Sequence, residues 1–302
     1  MQLSSKKELM MSKILPFLAI CVFSCLFALG AEKYFPNGEI LIFPKSSINS
    51  IMESVVVVTK NRHVIVFDGG QGADANHLAE IISRYSDTVD YWFLSHAHAD
   101  HCGAIIELAN KKPDALKIKN VLYAFPSHEW LAETEKWSVA ETAAVCSGVA
   151  GLPWTKTILK KGDVFEVDGA VVDVLNFYDL KIVANSCNNA SLVFSLKMGG
   201  RRLIFPGDIG GEMSKVLIDE YGDALKADIV VLSHHGQNGA SREFYQKVAP
   251  EIAIWQTPSW LWENDNGGGP GSGSWRTNYV KCWLQDLGIH KQFRNVEDIV
   301  IE

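Results

Sequence analysis

Short β-branched runs alternate with stretches of helical spacing along most of the chain, and this alternation sets the expected elements. Ile40–Phe43, Val55–Val58 and Val64–Phe67 read as three early strands, the last closed by the turn signal Asp68-Gly69-Gly70. Leu78, Ile81, Ile82 and Tyr85 share one face of a helix, and Tyr91–Leu94 is a further strand. A helix over Cys102–Asn110 stops before Pro113, and the Ala- and Glu-rich segment Glu133–Cys146 predicts another. Val164–Val167 and Ala170–Leu175 flank the tight turn Asp168-Gly169; Leu192–Met198 and Arg202–Phe205 flank Gly199-Gly200. Helices over Met213–Tyr221, Phe244–Val248 and Tyr279–Leu287, with strands at Ile229–Leu232, Ile252–Trp255 and Ile299–Ile301, complete the pattern. Strand-rich halves, each followed by helices, imply an α/β protein built as an αββα four-layer sandwich, two mixed sheets with helices outside.

The first thirty residues break from this pattern. Lys6, Lys7 and Lys13 precede an apolar run from Ile14 to Gly30, and small residues follow at Ala28-Leu29-Gly30-Ala31. A basic start, an apolar stretch and a small-x-small site read as a secretory signal peptide, with an uncleaved membrane anchor over 14–30 as the alternative. Residues 31–302 are then expected to form a single domain, in the periplasm or outside the cell. Removing residues 1–30 takes away three Lys and one Glu and moves the net charge from −7 to −9. That acidity argues against passive attraction to nucleic acid or anionic lipid, so no obligatory nucleic-acid partner is expected, and a membrane partner only if the leader stays. Four cysteines remain, Cys102, Cys146, Cys187 and Cys282, irregularly spaced and without a CxxC, which favours free thiols over disulfides. The Gly-rich stretch Asn264–Ser274 is expected to be a mobile lid or rim loop inside the domain.

Chemistry concentrates in Ser95-His96-Ala97-His98-Ala99-Asp100-His101, directly after an apolar strand. Several titratable side chains at a strand end are costly to bury unless something satisfies them, and a divalent metal does so with imidazole and carboxylate ligands. His96 and His98 are two apart and point to the same side of an extended backbone. Asp100 and His101 are adjacent, so a turn must aim both inward, toward a second ion. Cys102-Gly103-Ala104 then opens a helix whose positive end lies close by.

With this HxHxDH string the chain resembles the metallo-β-lactamase superfamily. Asp68 in VFDGG, Gly207-Asp208 after Leu203-Ile204-Phe205, and Ser233-His234-His235-Gly236 after Ile229–Leu232 fit the family's remaining motifs in order. The resemblance implies two divalent ions, zinc first and manganese second. It assigns His96, His98 and a bridging Asp208 to one ion, and Asp100, His101, Asp208 and His234 to the other. Asp68 would orient a metal-binding His, Asp100 would orient a hydroxide bridging the ions, and His235 would contact substrate, support a ligand from behind or stabilise growing charge, with an exchange of places between His234 and His235 as the alternative. The family's usual third His on the first ion is missing. The loop that should carry it reads Ala184-Asn185-Ser186-Cys187-Asn188-Asn189-Ala190-Ser191. Asn188 and Asn189 are expected near substrate, with Cys187 or an Asn as a replacement ligand.

The string NNASLVF…RRLIFPGDI…ADIVVLSHHG is similar to the hydrolase domain attached to bacterial DNA-uptake channels and to phosphorylcholine esterases of the same superfamily. Both imply hydrolysis of a phosphodiester or phosphorylated small molecule. An acyl hydrolase (lactonase, thioesterase or β-lactamase type) and a non-catalytic binding member of the fold are the rivals. Trp255, Trp260, Trp262 and Trp275 surround the Gly-rich loop, where they either line a substrate site, Trp260 first, or pin the loop to the core.

Overall fold

The run Val55–Val58 is apolar at every position because both faces of its strand are covered. Val55 and Val57 point into one core, Val56 and Val58 into another, and Ile65 and Phe67 are divided from Val64 and Val66 in the same way. The computed structural model describes residues 34–302, which form one compact unit; the leader expected over residues 1–30 lies outside the described residues. Among the described residues no helix is long and apolar enough to cross a membrane.

In chain order the first half comprises β1 (Ile40–Phe43), β2 (Ser54–Val58), β3 (Val64–Asp68), α1 (Ala75–Ser83), β4 (Thr88–Val89), β5 (Tyr91–Phe93) and α2 (Ala99–Lys111). It continues with β6 (Lys117–Ile118), β7 (Asn120–Tyr123), α3 (His128–Thr134), α4 (Val139–Ala150) and β8 (Thr155–Ile158). The second half holds β9 (Val164–Val167), β10 (Ala170–Val174), α5 (Ser186–Asn189), β11 (Phe194–Met198), β12 (Arg201–Phe205) and α6 (Gly211–Tyr221). There follow β13 (Ile229–Val231), α7 (Arg242–Val248), β14 (Ile252–Trp255), α8 (Ser259–Trp262), α9 (Thr277–Asp286), β15 (Lys291–Arg294) and β16 (Ile299–Ile301).

Two seven-stranded sheets result, ordered β16-β1-β2-β3-β5-β7-β8 and β15-β14-β13-β12-β11-β10-β9. Each is antiparallel on one side and parallel on the other. A stack of Phe67, Phe93, Phe194 and Phe205, with centroids 5.2–6.4 Å apart, fills the space between the sheets. Outer cores seat α1, α2 and α4 on the first sheet and α6, α7 and α9 on the second. This is the four-layer αββα sandwich.

The structure departs from the sequence reading at a few elements. The single helix expected over Glu133–Cys146 is two, α3 and α4, because Glu135 turns inward between them. Its buried carboxylate lies 2.7 Å from the Ser186 hydroxyl and accepts from the Cys187 N–H at 3.3 Å. The helix expected from Cys102 starts earlier, at Ala99, so that Asp100 and His101 occupy its first turn. Strands β7, β8 and β15 were not anticipated. The Gly-rich loop is cross-braced: Asp265 accepts from the N–H groups of Gly267 and Gly269 at 2.7 and 2.9 Å, and buried Asn264 accepts from Trp275 N at 3.1 Å. These bonds give the Gly-rich loop a defined internal turn.

Candidate metal centre

Parallel strands deliver the site. Asp68 ends β3, residues 95–101 follow β5, Asp208 follows β12, and Ser233–Gly236 follows β13. The C-terminal ends of these four strands meet where the two sheets face each other, and every contributing side chain is largely withdrawn from solvent.

Asp68 organises the first motif. It is fully buried in a left-handed conformation (φ 50°), a position where Asp is tolerated better than most residues. Its carboxylate accepts from Ser95 N at 2.7 Å and from the Ser95 hydroxyl at 2.6 Å, and lies 2.7 Å from His101 Nδ1. The carboxylate therefore holds the Nδ1 proton, and His101 turns Nε2 to the interior, 3.3 Å from Asp208 and 3.8 Å from Asp100. His96 Nε2 and His98 Nδ1 approach to 3.0 Å, and the His96 and His101 rings stack at 4.1 Å.

Ser233–Gly236 carries three consecutive left-handed residues, His234, His235 and Gly236. Such backbone strain is worth about 1–3 kcal/mol for each non-Gly residue and persists only where the surroundings enforce it. Here the Thr257 hydroxyl donates to the His235 carbonyl at 2.6 Å, and His234 N donates to the Gly207 carbonyl at 3.2 Å. A Cβ on Gly236 would fall 2.3 Å from the ring of Trp255, so only glycine lets the turn sit on that indole.

The turn sends its two imidazoles to different places. His235, fully buried, puts Nε2 3.0 Å from Asp100 and 3.7 Å from Asp208. His234 puts Nε2 3.8 Å from Asp208 and 3.3 Å from the Asn188 amide nitrogen. The place beside Asp100 and His101 that the sequence reading gave to His234 thus belongs to His235. His234 stands instead on the side of the Asn loop, where the family's third His was missed. The correction follows from the left-handed backbone, which separates adjacent side chains in a way an extended reading does not.

Asp208 is the hub. Its carboxylate lies within 4.0 Å of His96, His101, His234 and His235, at 3.9, 3.3, 3.8 and 3.7 Å. Burial alone would raise its pKa, and the His101, His235 and His234 rings outweigh that and hold it well below the ordinary carboxylate range. Burial would likewise lower His101, yet Asp208, Asp100 and Asp68 push it well above its usual value. His96 is driven down by burial and by the neighbouring His101.

Glu53, just before β2, was missed by sequence reading. It is fully buried, neither carboxylate oxygen has a hydrogen-bond partner, and burial followed by the nearby Asp208 charge raises its pKa strongly. One ligand atom each from Glu53, His101, Asp208 and His235 lie within 4.8 Å of one another. A lone acidic residue ahead of a Val run carries no motif; the fold ties it to the site through its backbone bond to Asp100 (Glu53 N to Asp100 O, 3.1 Å) and by bringing its carboxylate 4.0 Å from His235 Nδ1.

The remaining expected residues divide. Asn188 faces His234 and keeps a buried carbonyl oxygen without a partner. Asn189 borders the same cavity as His234, with its amide engaged by neighbouring backbone. Its oxygen accepts from Gly210 N at 2.8 Å and Met213 N at 3.3 Å at the start of α6, and its nitrogen donates to the Ala184 carbonyl at 2.8 Å. Cys187 is buried in the outer core of the first sheet, outside the imidazole–carboxylate cluster, and burial raises its thiol pKa well above normal. Cys102, Cys146, Cys187 and Cys282 are free thiols. The four Trp do not share one open cage. Trp255 is fully buried with Trp262 edge-on at 5.0 Å, Lys281 and Arg294 cover Trp262, and Trp260 packs on Trp275 at 5.0 Å. The family model for the metallo-β-lactamase superfamily matches residues 51–254, the span that holds Asp68, the 96–101 motif, Asp208, His234 and His235.

The chain belongs to the metallo-β-lactamase superfamily.

A relative within it, the competence protein ComA of Neisseria gonorrhoeae, is 35% identical over 204 residues, covering 67% of this chain and 25% of that protein. The chain thus spans about a quarter of the length of that relative. This agrees with the DNA-uptake-associated branch of the superfamily. Among solved structures, the metallo-β-lactamase fold protein YhfI from Bacillus subtilis superposes with a TM-score of 0.52 at 8% identity, over 87% of this chain and 99% of that one. CmlA from Streptomyces venezuelae, a diiron β-hydroxylase, gives a TM-score of 0.53 at 9% identity, over 87% of this chain and 54% of that one. At such identities the likeness shows the fold alone.

Proposed function

We propose that this superfamily member is an exported metal-dependent hydrolase that cleaves a phosphodiester or a phosphorylated small molecule. The carrying observation is Asp208, buried and within 4.0 Å of four imidazole nitrogens from two motifs. The fit to cations rests on atoms left without partners inside the protein: His98 Nε2, His101 Nε2, Asp208 Oδ1 and both oxygens of Glu53. Unpaired buried polar atoms are costly, and those of Glu53, His101 and Asp208, which belong to one cluster of ligand atoms within 4.8 Å of one another, would be satisfied by a cation. His96, His98, His234 and Asp208 would hold one ion; Asp100, His101, Asp208, His235 and Glu53 would hold the other. Imidazole and carboxylate suit zinc and manganese alike. Two such ions supply Lewis-acid polarisation of a phosphoryl oxygen and activation of water at neutral pH.

The chain's own residues do the rest. Asp68 keeps a proton on His101 Nδ1, which leaves Nε2 as the atom an ion would take. Asp100, held 3.0 Å from His235, stays ionised and can orient an attacking water. Asn188, the Asn of the loop with an unused oxygen, would meet the substrate beside His234. The phosphoester preference is supported by the likeness to a competence protein and by the Asn loop in place of a third His, and export is supported by the leader-like residues 1–30. A panel of bis-phosphodiester, phosphorylcholine ester, lactone and cephalosporin with added Zn²⁺ or Mn²⁺ tests the chemistry. Turnover of a phosphoester is expected; turnover of acyl substrates alone would overturn the reading.

A further inference from the structure

The break between α3 and α4 does more than interrupt a helix. It places Trp137, 69% exposed and the most exposed large apolar side chain among the described residues, with its ring 5.6 Å from that of His98. A single exposed apolar side chain is ordinary by itself; what distinguishes this indole is its place beside His98, at the edge of the cluster. The loop beneath it is firmly built. Glu135 is fully buried and anchored to Ser186 and Cys187, Ser138 N donates to the Glu135 carbonyl at 3.0 Å, and Ser138 begins α4 by accepting from Thr142 N at 2.9 Å. In α4, Glu141 in turn accepts from Ala99 N at 3.0 Å, tying the pedestal to the first turn of α2, which carries Asp100 and His101. The backbone that carries Trp137 is thus tied to the centre on both sides.

We infer that Trp137 is a stacking platform that selects substrates carrying a planar aromatic ring, of the nucleobase kind, next to the phosphoryl group. This deepens the proposed phosphoester hydrolysis and rests on it for the identity of the reacting group. A lone open indole face suits a flat ring, whose whole surface it can cover. A quaternary ammonium is recognised by several aromatic faces arranged as a cage, and here the other face-forming partner at Trp137 is the site's own His98. Trp255, Trp260, Trp262 and Trp275 are engaged with one another or with cations, so they leave this task to Trp137. The ring stacks without hydrogen bonds that would read its edge, so the platform discriminates aromatic from non-aromatic substrates and not one base from another.

The test is binding, measured by calorimetry on the purified full chain with its resident metals. Adenosine 5′-monophosphate and ribose 5-phosphate share the sugar phosphate and differ in the ring. Wild type is expected to bind the nucleotide about ten-fold or more tightly than the sugar phosphate, the size of one base–aromatic stack. Trp137→Ala should bring the two affinities together, and Trp137→Phe should restore most of the difference, with ribose 5-phosphate binding alike in all three. Equal affinities in wild type, or a preference that survives in Trp137→Ala, would overturn the inference. Preference for the nucleotide without hydrolysis of any phosphodiester would leave the platform standing and remove the proposed reaction.

Discussion

Replacing Asp68 by Asn probes how the fold prepares the centre without touching an ion-facing atom. The substitution keeps volume and one acceptor, so Ser95 N at 2.7 Å retains its partner. It puts an NH₂ group where a carboxylate oxygen now meets both the Ser95 hydroxyl and His101 Nδ1, at 2.6 and 2.7 Å. The hydroxyl can rotate to accept. His101 cannot do so without moving its proton from Nδ1 to Nε2, the atom aimed at Asp208 from 3.3 Å. A proton then occupies the ion's coordination point. Loss of such an orienting carboxylate weakens ion binding about 10–100-fold, or about 1.4–2.7 kcal/mol at 1.36 kcal/mol per decade. Chelator competition on the purified variant reads this directly, with circular dichroism confirming the fold. An Asp68→Asn protein with wild-type ion affinity would show that His101 is not held by Asp68, and the geometric argument for the centre would fail.

Glu53→Gln keeps the shape of a buried side chain while removing its charge, so thermal stability should hold or rise as one ion's affinity falls; chelator titration with a melting curve separates the two. Gly103→Ala would put a Cβ 2.5 Å from the Gly72 backbone nitrogen, where α2 presses on the preceding loop. Overpacking of this kind costs about 1–3 kcal/mol, readable as a lower urea midpoint, and an unchanged midpoint would refute the contact. His101 has a raised pKa in the ion-free protein, so its protonated form is the one favoured as pH falls. Protons then compete with the ion, and metal retained after dialysis should decline steadily as pH is lowered below neutral; retention independent of pH would contradict His101 as a ligand.

The strands and the chemistry at their ends were readable because both follow strict local rules. Apolar runs such as Val55–Val58 and Val64–Phe67 can be buried on both faces only in a layered sheet protein, and three His with an Asp after such a strand have few other physical uses. What escaped depends on tertiary context. Glu53 looks like an ordinary polar residue before a strand until the second sheet closes over it. The exchange of His234 and His235 comes from left-handed backbone that neither residue type announces. Trp137 lies in a segment of helix-forming residues, and its exposure follows from the inward pull on Glu135, whose partners are about fifty positions away. The bonds of Asn189 to the start of α6 were not legible because that helix is distant in sequence.

Metal content decides the central claim most directly. Elemental analysis of the purified wild-type chain should give two equivalents of divalent ion, and Asp208→Ala, which removes the carboxylate shared by four imidazoles, should lose both while keeping its secondary structure. Two equivalents retained by Asp208→Ala, or less than one in wild type, would contradict a centre built around that residue.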